Sequence, residues 1–235
     1  MPILQQLEFV WTIRGRLLEG LGISLLIALI ALILGFVIGV ILAIIKIAPK
    51  TNIFIKILDK FADVYLAVIR GTPMLVQLLI MSSIILVSYK YKPTNLIVPI
   101  LAFGINSGAY IAEIIRSGIS SVDNGQMEAG RSLGLSWFAT MFKIVIPQAI
   151  KVVIPTLFNE VIILVKETSI ISCIALMINN DQKWDLLGVA EDIGFIEPGA
   201  YMMTLLTAAL LYLIVVLVLT LIQKIIERKM KKNER

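Results

Sequence analysis

The 235-residue sequence predicts an all-α, polytopic membrane protein with five transmembrane helices. Three observations carry that reading. The chain is 59% apolar against 16% charged, with a mean hydropathy of +0.95, which leaves too few polar residues to cover a water-facing surface. Five stretches are long and apolar enough to cross a hydrocarbon core, where about 20 helical residues are needed and every backbone amide must bond within its own segment. The net charge of +5 gathers at the edges of those stretches, as membrane flanks do, so its sign speaks for orientation and not for nucleic acid.

Composition also excludes chemistry. Without histidine, and with Cys173 as its single cysteine, the chain cannot build a His-ligated metal site, a Ser-His-Asp triad, an iron–sulfur cluster or an intrachain disulfide. No G-x-x-x-x-G-K-[ST] loop is present, so a non-catalytic subunit is expected, with any ATP bound by another chain. Cys173, among Ile171, Ile174 and Ala175, is expected to be a small core residue.

The spans follow in order. Residues 20–45 carry no charge, and Gly35 and Gly39 there form a G-x-x-x-G pair that permits close helix approach. Residues 64–87 carry Arg70, and Gly71 and Pro73 just after it predict a break or kink, because a proline frees a backbone carbonyl and clashes with the preceding turn. Residues 96–115 carry Glu113, residues 152–177 carry Glu160, Lys166 and Glu167, and residues 200–223 are again uncharged. The N-terminal stretch lacks the layout of a cleaved signal and is expected to remain in the mature chain. Lys46, Lys50, Lys56, Lys60, Arg116, Arg131, Lys143 and the basic tail from Lys224 share one side. The other side holds Arg14, Arg16, Lys90, Lys92 and Lys183, with an acidic loop, residues 179–198, that includes Trp184 and Phe195. The positive-inside rule therefore puts the N-terminus outside and the C-terminus in the cytoplasm. Five helices enclose little volume, so a second copy or a homologous partner is expected.

The cytoplasmic loop, residues 117–147, is too structured in sequence to be a linker. Asp123-Asn124-Gly125 is turn chemistry, and the residues after it read as a short helix. Leu133, Trp137 and Met141 recur at i, i+4 and i+8, beside Leu135, Phe138 and Phe142, which predicts an apolar face outside the membrane. An interfacial helix on the bilayer is the plain alternative.

Glu128-Ala129-Gly130, then Gly134, then Ile144-x-Ile146-Pro147 resembles the E-A-A, G, I-x-L-P signature of the membrane subunits of ABC importers, with matching spacing. Gly130 stands where the signature has a second alanine and Ile146 where it has leucine. Three further blocks narrow the resemblance to the polar amino acid permeases: Arg70-Gly71-Thr72-Pro73-x-Leu75-Val76-Gln77, Asn106-Ser107-Gly108-Ala109-Tyr110-x-x-Glu113, and Asn159-Glu160 with Lys166-x-Thr168-Ser169. The resemblance implies a type I importer fold in a prokaryotic-type cell membrane. It implies that Glu128, Ala129, Gly130, Leu133, Gly134 and Trp137 engage an ATP-binding subunit, which holds the ATP and magnesium, with Gly134 at the bend of two coupling helices. An extracellular or periplasmic solute-binding protein, an amino acid substrate and a paired permease are the other implied partners.

The polar groups inside the spans are the candidate substrate contacts. A zwitterion in a low-dielectric region needs donors for its carboxylate and acceptors for its ammonium. Thr72, Gln77, Asn106, Asn159 and Ser169 supply neutral hydrogen bonds, while Glu113 and Glu160 accept a cation. Each carboxylate has a structural alternative: Glu113 an i, i+3 pair with Arg116, and Glu160 a pair on another helix, because Lys166 lies on a different face of its own. Arg70 is expected to pair with a carboxylate or reach for the interface. Asn106, Tyr110 and Glu113 share one helical face, expected to look inward. The basic tail is read as an anchor for anionic lipid. The competing reading is an ATP-independent channel, or a scaffold subunit without its own substrate site.

Overall fold

The computed structural model describes residues 2–88, 96–175 and 185–232; Lys90, Lys92, Asp181, Lys183 and Trp184 lie outside the described residues. Every regular element among the described residues is helical. Four helices are long and apolar enough to cross a membrane, and a fifth span forms when the bent pair α2 (Ile53–Gly71) and α3 (Met74–Ser88) is taken as one.

The first helix, α1 (Ile3–Ile47), runs about 67 Å at 1.5 Å per residue and begins well before the uncharged stretch at Gly20. Its early turns stay helical because Phe9, Val10, Ile13, Leu17 and Leu21 have apolar partners. Those partners lie on α9 (Leu186–Ile196) and α10 (Tyr201–Lys232), and Arg16 adds an ion pair of 2.6 Å to Asp192. The acidic segment expected to be a loop is therefore partly the helix α9. Asp185 caps it by accepting from the backbone N–H of Leu187 (3.1 Å) and Gly188 (3.3 Å).

Close packing of α1 against α4 (Ile97–Ser120) forms the spine of the bundle. Gly35 and Gly39 do meet a neighbouring helix: a Cβ on Gly39 would lie 2.6 Å from the Ile111 Cγ2. The same happens in reverse at Gly104 and Gly108, a second pair at the same spacing, where a Cβ on Gly104 would lie 2.5 Å from the Leu34 Cδ2. Side chains of one helix fill the space that glycines leave on the other, which lets dispersion hold helices together where lipid offers no hydrophobic drive.

The break between α2 and α3 is a bend of 107° at Thr72-Pro73. Pro73 has no N–H for the Ile69 carbonyl, and the Gln77 Nε2 donates to that carbonyl at 2.7 Å. The second span also starts earlier than predicted, at Ile53. Lys56, Asp59, Lys60 and Asp63 lie on this helix and not in a loop. Lys46 reaches Asp59 (2.9 Å) and Asp63 (2.7 Å), and Lys50 reaches Asp59 (2.7 Å), which clamps the α1–α2 turn.

Two short helices, α5 (Asn124–Ser132) and α6 (Trp137–Thr140), connect α4 to the next span. From α6 the helix continues through one π-helical turn, Met141–Val145, into α7 (Ile146–Glu167). A 3₁₀ turn and α8 (Ser172–Ala175) follow. Cys173 is exposed there, against expectation: α8 is only four residues long, and its buried members are Ser172 and Ile174.

Candidate functional site: a docking module and a polar cleft

The α5–α6 segment is built from helix-terminal chemistry. The Asp123 carboxylate accepts from the Gly125 N–H at 2.7 Å and starts α5. At the other end, the Gly134 N–H donates to the Arg131 carbonyl (3.0 Å) and the Leu135 N–H to the Gly130 carbonyl (3.1 Å). That is a Schellman stop, and it needs a residue with positive φ; Gly134 has φ +82°, the only positive φ among the described residues. Two residues later the Ser136 hydroxyl accepts from the Ala139 N–H at 3.1 Å and starts α6.

The bend expected at Gly134 is present, but it overturns the predicted Leu133, Trp137, Met141 stripe. With the chain reversed between them, Leu133 is 82% exposed while Met141 is buried. Gly130 also acquires a reason for departing from alanine. It is buried, and a Cβ there would lie 2.5 Å from the Cγ2 of fully buried Thr140. The Gln148 Nε2 donates to the Gln126 Oε1 at 3.2 Å, tying α5 to α7. Glu128 and Ala129 stay exposed on the free side of α5. The outcome is a rigid two-helix module continuous with a membrane-crossing helix.

Higher in the bundle, a cleft of about 250 Å³ opens between α4 and α7, lined by Arg70, Tyr110, Glu113, Ser117 and Thr156 among others. Glu113 accepts from the Arg116 Nε (3.0 Å) and Nη2 (2.5 Å), the pair foreseen as its alternative. The Arg70 Nη1 lies 3.7 Å from the Glu113 Oε2, the oxygen that accepts from the Arg116 Nε, and its guanidinium sits 5.8 Å from the Tyr110 ring centroid. A carboxylate flanked by two guanidiniums, all partly exposed, makes a charged patch at the cleft.

The other predicted contacts lie elsewhere. Gln77 and Thr72 are used at the helix break: the Gln77 Nε2 also bonds the Thr72 Oγ1 (2.8 Å), and the Asn106 Nδ2 donates to the Gln77 Oε1 (3.0 Å). Asn106 is buried, so it parts from Tyr110 and Glu113 although all three lie on one stretch of α4. Glu160 is also buried, and its Oε1 accepts from the Ser107 Oγ at 3.0 Å. Adjacent residues of α4 thus hold the helix break on one side and α7 on the other. Asn159 is exposed outside the cleft lining, and the Ser169 Oγ donates to the Lys166 carbonyl at 2.8 Å. Ser117 and Thr156 line the cleft without having been predicted. Ser117 falls four residues after Glu113, a spacing from which it was legible.

No group of three or more Cys, Asp or Glu residues suited to a metal occurs among the described residues. A helical bundle of membrane spans with a polar cleft inside and a rigid module at one end, tied to a span, defines a transport-type inner membrane subunit. The chain belongs to the family described as binding-protein-dependent transport system inner membrane component, which matches residues 35–232. A Rickettsia typhi permease protein named for glutamine transport is 40% identical over 75% of this chain and 78% of its own length. The arginine transport system permease protein ArtQ of Bacillus subtilis is 36% identical over 74% and 75%. Among solved structures, an amino acid ABC transporter with histidines superposes with a TM-score of 0.83 at 32% identity, covering 97% of this chain and 99% of that one.

Proposed function

We propose that this chain is the translocating subunit of an ATP-driven importer for a polar amino acid, working by alternating access. The carrying observation is the α5–Gly134–α6 module, which presents Glu128 and Ala129 to a partner and continues as one helix into α7. A module of this kind fills a groove on an ATP-binding subunit and passes that subunit's movement to the membrane as a rigid body. The partner holds ATP and magnesium; this chain supplies no phosphate-binding loop. The docking end faces the cytoplasm and the N-terminus faces outside, in keeping with the distribution of Lys and Arg.

Relatives named for glutamine, arginine and L-cystine transport share the α-amino acid zwitterion as the cargo of their names. In this chain Arg70 and Glu113 set a cation and an anion side by side in the cleft, matched to a carboxylate and an ammonium. Movement of α7 reaches that cleft through Thr156 and reaches α4 through the Glu160–Ser107 bond. Asn106 and Gln77 hold the α2–α3 break against α4, while Thr72 at the break stays exposed and open to cargo. A second copy or a homologue completes the path, and a solute-binding protein delivers cargo from outside. Coupled uptake tests the reading in proteoliposomes holding the whole complex. Replacing Glu128 with Ala abolishes ATP-dependent uptake and leaves membrane insertion intact; uptake without ATP, unaffected by that change, identifies a channel instead.

A further inference from the structure

On the far side of α4 from the polar cleft lies a second, larger cavity of about 520 Å³ with almost wholly apolar walls. Ile115 and Ile119 of α4 line it, with Ala43 and Ile47 from the end of α1, and Trp137 and Phe142 from the docking module and its π-helical turn. Ile115 is two residues from Glu113, about 200° around the helix at 100° per residue. The groove therefore faces away from whatever shares the polar cleft. It runs between the last turns of α1 and α4, the first turns of α7 and the aromatic residues of the docking module, among them Trp137, a residue type that gathers at membrane–water interfaces. Lys143 follows Phe142 directly, is exposed, and has no ion pair or hydrogen bond among the described residues.

We propose that this groove binds one anionic phospholipid, an acyl chain lying between α1, α4 and α7 beside α6 and the headgroup on Lys143. An acyl chain gains little from leaving bulk lipid for an equally apolar groove, so selectivity falls to the headgroup charge. One basic residue near an anionic surface supplies about a fivefold preference. The bound chain fills the gap between the docking module and the bundle. The inference rests on the membrane-spanning fold and not on the cargo; Trp137, which the resemblance assigns to the ATP-binding subunit, is half-buried in the wall of this groove.

Trp137 reports on the groove directly. The full complex, with Trp11 and Trp184 of this chain replaced by Phe, is placed in nanodiscs containing brominated phosphatidylglycerol or brominated phosphatidylcholine, and the quenching it adds over the same complex carrying Trp137→Phe is followed. Half-maximal quenching is expected at about one-fifth the mole fraction for the anionic lipid, and Lys143→Gln removes the difference. Equal mole fractions in the unsubstituted Lys143 protein make the groove ordinary lipid-facing surface and overturn the site. Absence of quenching by either lipid means another protein chain covers the groove, and a preference that survives Lys143→Gln overturns the headgroup assignment. Native mass spectrometry of the unaltered complex is the second measurement, should the Trp replacements prevent assembly: a retained anionic phospholipid that Lys143→Gln releases is expected, and none retained refutes the site.

Discussion

Replacing Gly134 isolates backbone conformation from packing, because its φ is +82° and no atom lies within 4 Å of where a Cβ would stand. Side-chain size is then irrelevant, and only tolerance of the left-handed region matters. Holding an ordinary L-residue there costs about 1–2 kcal/mol, whereas Asn recovers part of that through its local hydrogen bonding. If the ATP-binding subunit grips only the turned module, Ala and Ser weaken its binding by about 5- to 30-fold, at 1.4 kcal/mol per factor of ten, with Asn in between. Proline removes the N–H that bonds the Arg131 carbonyl at 3.0 Å and fixes φ near −65°, so a loss above about 100-fold follows from a cost of 3 kcal/mol or more. Titrating the purified ATP-binding subunit against each variant in nanodiscs measures the order. Losses that follow side-chain volume, or Ala binding as tightly as Gly, would refute the assignment of Gly134 to a conformational role.

Three further expectations use other parts of the bundle. Gly39→Ala places a methyl 2.6 Å from the Ile111 side chain and 3.0 Å from the Ala112 backbone nitrogen, at a cost of about 1–3 kcal/mol, while Gly22→Ala meets nothing within 4 Å and is neutral or stabilising; thermal unfolding in detergent separates the two, and equal midpoints contradict the packing argument. Gln77→Leu leaves the Ile69 carbonyl at the helix break without its donor and costs about 1–3 kcal/mol, read in the same assay, with no loss expected if the break is held by other contacts. Burial pushes the Asp185 carboxyl up to about 7, against its two backbone donors and helped by nearby Glu191. A folded value above the ordinary 3.8 means that the native state binds the extra proton, so the stability of α9 is greatest below about pH 4 and declines as pH rises towards 7. Hydrogen exchange of the α9 amides, corrected for intrinsic rate, should show that decline between pH 5 and pH 8, and Asp185→Asn should remove it; a pH-independent α9 in the native chain contradicts the buried neutral carboxyl.

Much of the fold was legible because lipid imposes strong rules. Uncharged runs around Gly20–Ile45 and Ala200–Gln223 fall within helices, and Pro73 breaks the second span because it has no N–H for the Ile69 carbonyl and its ring clashes with the preceding turn. The bend at Gly134 was legible through the resemblance of Glu128-Ala129-Gly130, Gly134 and Ile144-x-Ile146-Pro147 to the importer signature. What escaped reading depended on long-range partners. The outer turns of α1 contain Glu8, Arg14, Arg16 and Glu19, which lower hydropathy, and only Asp192 and the α9–α10 cluster explain why they remain helical. Helical periodicity at Leu133, Trp137 and Met141 misled because one positive-φ glycine reverses the chain within the window. The links that join Gln77 to the Ile69 carbonyl and Asn106 to Gln77 at the helix break were likewise beyond reading, because sequence lists donors without their partners.

Crosslinking from position 128 tests the docking module most directly. In a Cys173→Ser background, Glu128→Cys is the sole thiol of this chain, and a short bifunctional reagent added to the assembled complex should join it to the ATP-binding subunit, with labelling by membrane-impermeant thiol reagents only from the cytoplasmic side. Labelling from the external medium, or protection of that thiol within the bilayer in the absence of any partner, would contradict it.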